Sequence, residues 1–81
     1  MIQVKFFASL REQLATSQLE LVAEYPTVEA LRQALAARGP HWQRALAAES
    51  VLVAVNQSVQ SWSTPLADGD EVAFFPPVTG G

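Results

Sequence analysis

The strongest constraint on this chain lies in its two ends. Residues 2 to 8 alternate in character: Ile2, Val4, Phe6 and Ala8 fall on one side of an extended chain, Gln3, Lys5, Phe7 and Ser9 on the other. Residues 71 to 75 repeat the device, with Val72 and Phe74 on one side and Ala73 and Phe75 on the other. Period-2 patterns of this kind make strands with one buried face. Pro76 and Pro77 then end the second strand, because neither carries the N–H a central ladder needs. With 81 residues the chain has room for one domain only. Its first and last strands are therefore expected side by side in one sheet.

Between these ends the chain alternates helix and strand signals. Ser9 and Glu12 have capping-box spacing, which predicts a short helix of about two turns through Leu10 and Leu14. Leu19 and Leu21 mark a second strand. Thr27 is placed to cap the main helix, with Glu29 in its first turn and Val28, Leu31 and Leu35 along its apolar stripe. Gly39-Pro40 reads as its stop signal. Residues 41 to 50 suggest a further helical turn with Trp42 and Leu46 on one side. A valine-rich run then meets Asn56-Gln57, a hairpin candidate, and Asp68-Gly69-Asp70 is a turn. This order predicts an α+β fold: a sheet with one dominant helix packed on one face. The domain is expected over 1–75, with 76–81 as an extended tail.

Composition narrows the function. Hydrophobic residues are 49% of the chain and charged residues 16%, a globular balance, and cysteine is absent. No thiolate nucleophile or thiolate metal site is possible. The net charge of −3, with Lys5, Arg11, Arg32, Arg38 and Arg44 scattered, argues against nucleic acid. No signal-peptide pattern opens the chain and no apolar run reaches the ~20 residues of a membrane span, so a cytoplasmic location with no membrane partner is expected. His41 is the one histidine and reads as a surface or helix-start residue. Asp68, Asp70 and Glu71 form an acidic cluster best read as a turn, so no metal site is expected. Trp42 and Trp62 read as packing residues.

The side chains offer no catalytic constellation, and what remains is the tail, Pro76-Pro77-Val78-Thr79-Gly80-Gly81. Two stiff prolines hold out two glycines that can thread a narrow channel and leave the last carbonyl unhindered. Six extended residues reach at most about 20 Å. A carboxylate so presented is a chemical handle: it becomes an electrophile once activated, and a partner enzyme must do the activating.

Alternation also divides the aromatic residues. Phe6 and Phe74 share their side with Ile2, Val4 and Val72 and belong to the core. Phe7 and Phe75 fall on the side that the main helix leaves open. Exposed paired aromatics suit an interface, which would aim Gly81 into a partner.

The stretches VKFFASLRE, PTVEALRQAL, VAVNQ and PLADGDEVAFFPPVTGG resemble the small, sulfur-carrier subunits of molybdopterin synthase along essentially the whole chain. Gln57 stands where many β-grasp relatives have a turn glycine. The resemblance implies a ubiquitin-like β-grasp fold. It implies that Gly81 is adenylated by an ATP-dependent, E1-like enzyme and converted to a thiocarboxylate. It further implies that the tail inserts into the large synthase subunit, in a complex of two small and two large subunits. Two sulfur transfers to cyclic pyranopterin monophosphate there would build the dithiolene that later holds molybdenum. Catalytic side chains would then belong to the large subunit, ATP to the activating enzyme, and no bound cofactor to this chain. Gly80 would serve threading. Phe7, Phe75, Pro76, Pro77, Val78 and Thr79 would face the partner, with Val59 extending the patch. A carrier for thiamine synthesis, a ubiquitin-like tag joined to amines and a plain interaction module remain the alternatives.

Overall fold

The computed structural model describes residues 1–47 and 49–77. Eight elements follow in order: β1 (Ile2–Phe6), α1 (Ala8–Leu14), β2 (Gln18–Leu21), α2 (Val28–Ala36), α3 (Pro40–Ala47), β3 (Leu52–Val55), β4 (Ser58–Val59) and β5 (Glu71–Phe75). The strands form one mixed sheet in the order β2-β1-β5-β3-β4. The first and last strands are its central pair. They run parallel, with Val4 opposite Val72 and Phe6 opposite Phe74, while the other pairs are antiparallel. A parallel pair needs a long crossover, and the helices between β1 and β5 supply it.

The alternating pattern selects the core. Ile2, Val4, Phe6, Val72 and Phe74 are almost wholly buried, together with Val28, Leu31 and Leu35 of α2, Leu10 and Leu14 of α1, and Leu46 of α3. Phe74 stacks on Phe6 at 5.8 Å and on Trp62 at 6.1 Å between ring centroids. Trp42 meets Phe6 edge to face at 5.6 Å. Both tryptophans are thus packing residues, as their sequence contexts suggested. Leu19 and Leu21 fall opposite Val4 and Ile2 and lean on the same core.

Local chemistry agrees with the sequence in α2, where the Thr27 hydroxyl oxygen accepts from the Ala30 N–H at 3.2 Å. It differs in three places. β1 ends at Phe6, so Phe7 and Ala8 are not strand residues; Phe7 is the extended residue that leads into α1. The helix therefore starts at Ala8, and Ser9 already sits within its first turn. A serine can cap only from the extended position before a helix, so the Ser9–Glu12 box does not form and no side chain caps this end. Gly39-Pro40, read as a stop, does follow the end of α2 and is also a start. α2 closes at Ala37, Pro40 is the first residue of α3, and the Gly39 carbonyl accepts from the Gln43 N–H at 2.9 Å. The predicted single turn over residues 41 to 50 is an eight-residue helix.

Asn56 and Gln57 both have positive φ, 50° and 70°, the pattern of a type I′ hairpin turn. The Asn56 side chain also fixes the far end of β5. Its amide donates to Asp70 Oδ1 and its carbonyl accepts from the Glu71 N–H, each at 3.1 Å.

Candidate functional site

β1 and β5 both point their C-terminal ends toward one edge of the domain, and the tail leaves from there. Pro76 is half-buried and Pro77 exposed. Val78, Thr79, Gly80 and Gly81, four of the residues singled out in the sequence, lie outside the described residues.

Around the point where the tail departs, the sheet face away from the helices is apolar. Phe75 is half-buried and stands opposite Leu52, which is 38% exposed. Ala73 stands opposite Ala54, and Ala54 opposite Val59, which is 67% exposed. Strand partners share a face, so Phe75, Leu52, Ala73, Ala54 and Val59 form one apolar strip across β5, β3 and β4. Phe7 borders it at the end of β1: its N–H donates to the Phe74 carbonyl at 3.2 Å, and its ring is 47% exposed. α1 turns Leu10 and Leu14 into the core and leaves Phe7 exposed at its start. An exposed cluster of large apolar side chains beside the point where Pro76 and Pro77 follow β5 is the arrangement of an interface.

The other half of the same face is polar. Lys5 Nζ pairs with Glu71 Oε1 at 2.8 Å, and Gln3 and Lys5 stand opposite Glu20 and Gln18. The boundary between the halves crosses β5 between Glu71 and Ala73.

Leu52 was missed in the sequence because it sits in an unbroken apolar run, Val51 to Val55, where no polar residue marks the outward face. The signal was present in the period: if Val53 and Val55 enter the core, Leu52 and Ala54 must face outward.

The acidic turn is accounted for within the protein. The Asp68 carboxylate pairs with the Met1 ammonium, which holds its carboxyl below the usual range, Asp70 accepts from Asn56 and from the Ala67 N–H, and Glu71 pairs with Lys5. Among the described residues no group of three or more His, Cys, Asp or Glu side chains is placed to hold a metal. No helix among them is long and apolar enough to cross a membrane. His41 is an exposed residue in the first turn of α3. On the helical side, Arg32 lies over the Trp62 ring at 4.2 Å and donates to Glu29 Oε1 at 2.7 Å. That bond, with the positive charge behind it, holds the Glu29 carboxyl below the usual range. Glu29 and Val28 also donate their N–H groups to the Trp62 and Thr64 carbonyls, so α2 is fastened to the loop before β5.

A five-stranded mixed sheet with helices packed on one face and an apolar strip at the end of the last strand define a ubiquitin-like β-grasp protein. The solved structures that resemble it are of this kind. The small archaeal modifier protein 1 from Methanosarcina acetivorans matches with a TM-score of 0.80 and 27% identity, over 99% of this chain and 95% of that one. Subunits 1 and 2 of molybdopterin-converting factor from Helicobacter pylori 26695, solved as a complex, provide a further match. Its TM-score is 0.71 at 25% identity, covering 99% of this chain and 97% of that one. The chain belongs to the ThiS family, whose model matches residues 4–81. It is 57% identical, over the full length of both chains, to the molybdopterin synthase sulfur carrier subunit of Escherichia coli strain K12.

Proposed function

We propose that this chain is the sulfur carrier subunit of a molybdopterin synthase, working through the C-terminal carboxylate of Gly81. The observation that carries the reading is the 57% identity to a protein of that name over all 81 residues, the terminal Gly80-Gly81 included in the span. The arrangement of the domain supports it: the apolar strip of Phe75, Leu52 and Val59, with Phe7 at its border, offers a docking face at the root of the tail.

In this reading an ATP-dependent enzyme presents the α-phosphate of ATP to the Gly81 carboxylate. A carboxylate oxygen forms the new bond to phosphorus, pyrophosphate leaves, and Gly81 becomes an acyl adenylate. A hydrosulfide equivalent then adds to the carbonyl carbon, AMP departs and the S–H proton is lost, which leaves a thiocarboxylate. The large subunit, paired two and two with the small, receives the tail; a carbon of cyclic pyranopterin monophosphate takes the sulfur, and water takes its place on the Gly81 carbonyl, which returns the carboxylate. Two charged carriers complete the dithiolene. The carrier contributes position: prolines that hold the arm out, glycines that thread, and a face that docks. ATP belongs to the activating enzyme, and the catalytic side chains to the large subunit. Residues 1–75 act as the docking domain and 76–81 as the arm.

Intact mass of the protein isolated from cells tests this. The expected form carries one sulfur in place of one oxygen on Gly81. Deletion of Gly81 moves the carboxylate back by about 3.5 Å and is expected to abolish sulfur transfer while leaving the thermal midpoint nearly unchanged. Near-normal synthase activity in the truncated protein would end the carrier reading. Isopeptide-linked adducts in place of the sulfur form would instead mark a protein tag.

A further inference from the structure

The charges of the domain are unevenly placed. Three ion pairs are made among the described residues, and they occupy two of the five basic side chains: Lys5 with Glu71 and Arg32 with Glu29, the third pair being Met1 with Asp68. The remaining three, Arg11, Arg38 and Arg44, are exposed, and contacts tie the first two to the C-terminal end of β1, beside β5. Arg11 is one turn into α1 from Phe7. Arg38 lies over the Trp42 ring at 5.1 Å, and Trp42 touches Phe6, the last residue of β1. Arg44 lines, with Gln13 and His41, a hollow of about 340 Å³ between α1 and α3. Glu12, next to Arg11 in sequence, is exposed as well; at the other end of β1, Glu20 stands opposite Gln3 and Asp68 pairs with the Met1 ammonium, within a net charge of −3.

We propose that Arg11, Arg38 and Arg44 form a cationic collar that draws the protein tail-first onto an acidic protein surface, that of the ATP-dependent enzyme which activates Gly81. The inference rests on the sulfur-carrier reading above. Charge selects the class of partner. The guanidinium groups stand on three separate segments, a spacing that suits scattered carboxylates on a protein and not the dense phosphates of nucleic acid. The cycle selects the partner. A carrier must return to its activating enzyme for every sulfur it delivers, so its association rate matters at each turn, and surface charge acts chiefly on that rate. The large subunit is the poorer fit, because a mouth that holds a phosphorylated substrate is expected to be cationic itself.

The test is stopped-flow association of the full chain with the activating enzyme, for the parent and for the triple variant Arg11→Gln, Arg38→Gln, Arg44→Gln. It is run at about 10 mM and about 1 M salt, where the screening length is roughly 30 Å and 3 Å. The parent is expected to associate at least about tenfold faster at low salt than at high salt, and the variant to lose most of that advantage. At high salt the two should agree, with dissociation rates within about twofold throughout. Circular dichroism confirms that the variant folds. An unchanged or faster association of the variant at low salt overturns the collar, as does an effect confined to dissociation. An equal slowing with the large subunit overturns the choice of partner. A parent chain that the enzyme neither binds nor adenylates would refute the carrier reading itself, an outcome recognisable without any variant.

Discussion

Phe74 and Phe75 are neighbours in sequence on opposite faces of β5, and truncating each should separate stability from docking. Phe74 is fully buried between Phe6 and Trp62. An aromatic side chain buries about 150–250 Å², which at about 25 cal/mol per Å² is roughly 4–6 kcal/mol; measured Phe→Ala substitutions in cores cost about 3–5 kcal/mol. A domain of this size is stable by only about 4–12 kcal/mol. Phe74→Ala is therefore expected to approach global unfolding, and the milder Phe74→Leu serves as a companion that still folds. Phe75, by contrast, is half-buried against Leu52 on the open face. Its truncation should cost less than half as much stability as Phe74→Ala while weakening affinity for the large synthase subunit by about 2 kcal/mol or more, close to thirtyfold in Kd. Urea unfolding gives the first quantity and isothermal titration calorimetry the second. If Phe75→Ala costs as much stability as Phe74→Ala and leaves affinity unchanged, the assignment of the two faces is wrong.

Three further outcomes follow from the chemistry. Gly80→Val should leave folding intact and block activation or transfer, because a β-branched side chain widens an arm that must thread; adenylation by the activating enzyme at the parent rate would refute the narrow-channel argument. Gln57→Gly should stabilise the domain by about 1 kcal/mol, read in urea, since Gln57 holds φ at 70° where a side chain is strained. The Glu29 carboxyl is held below its ordinary value by the hydrogen bond from Arg32, so its contribution to stability is present above about pH 4.3 and is lost as pH falls through the lowered value. The stability difference between the parent and Glu29→Gln should accordingly shrink as urea unfolding is repeated at successively lower pH below that point; a difference that grows on acidification would reverse the sign.

Much of the local structure was legible in the residues themselves. Period-2 alternation placed Phe6 and Phe74 inside and Phe7 and Phe75 outside, and the Thr27 cap and the Val28, Leu31, Leu35 stripe defined α2, because these signals depend on chain geometry over a few residues. Tertiary structure decided what depends on contacts far apart in sequence. The parallel pairing of β1 with β5, the strand order and the placing of Leu52 beside Phe75 are set by which strand lies beside which. The Ser9–Glu12 box, favourable in isolation, gave way because the hydrogen bond from Phe7 to Phe74 and the burial of Leu10 and Leu14 set where α1 begins. A cap contributes about 1 kcal/mol, whereas burying two leucines contributes roughly 3–6 kcal/mol, so the leucines and not the cap fixed the register of the helix.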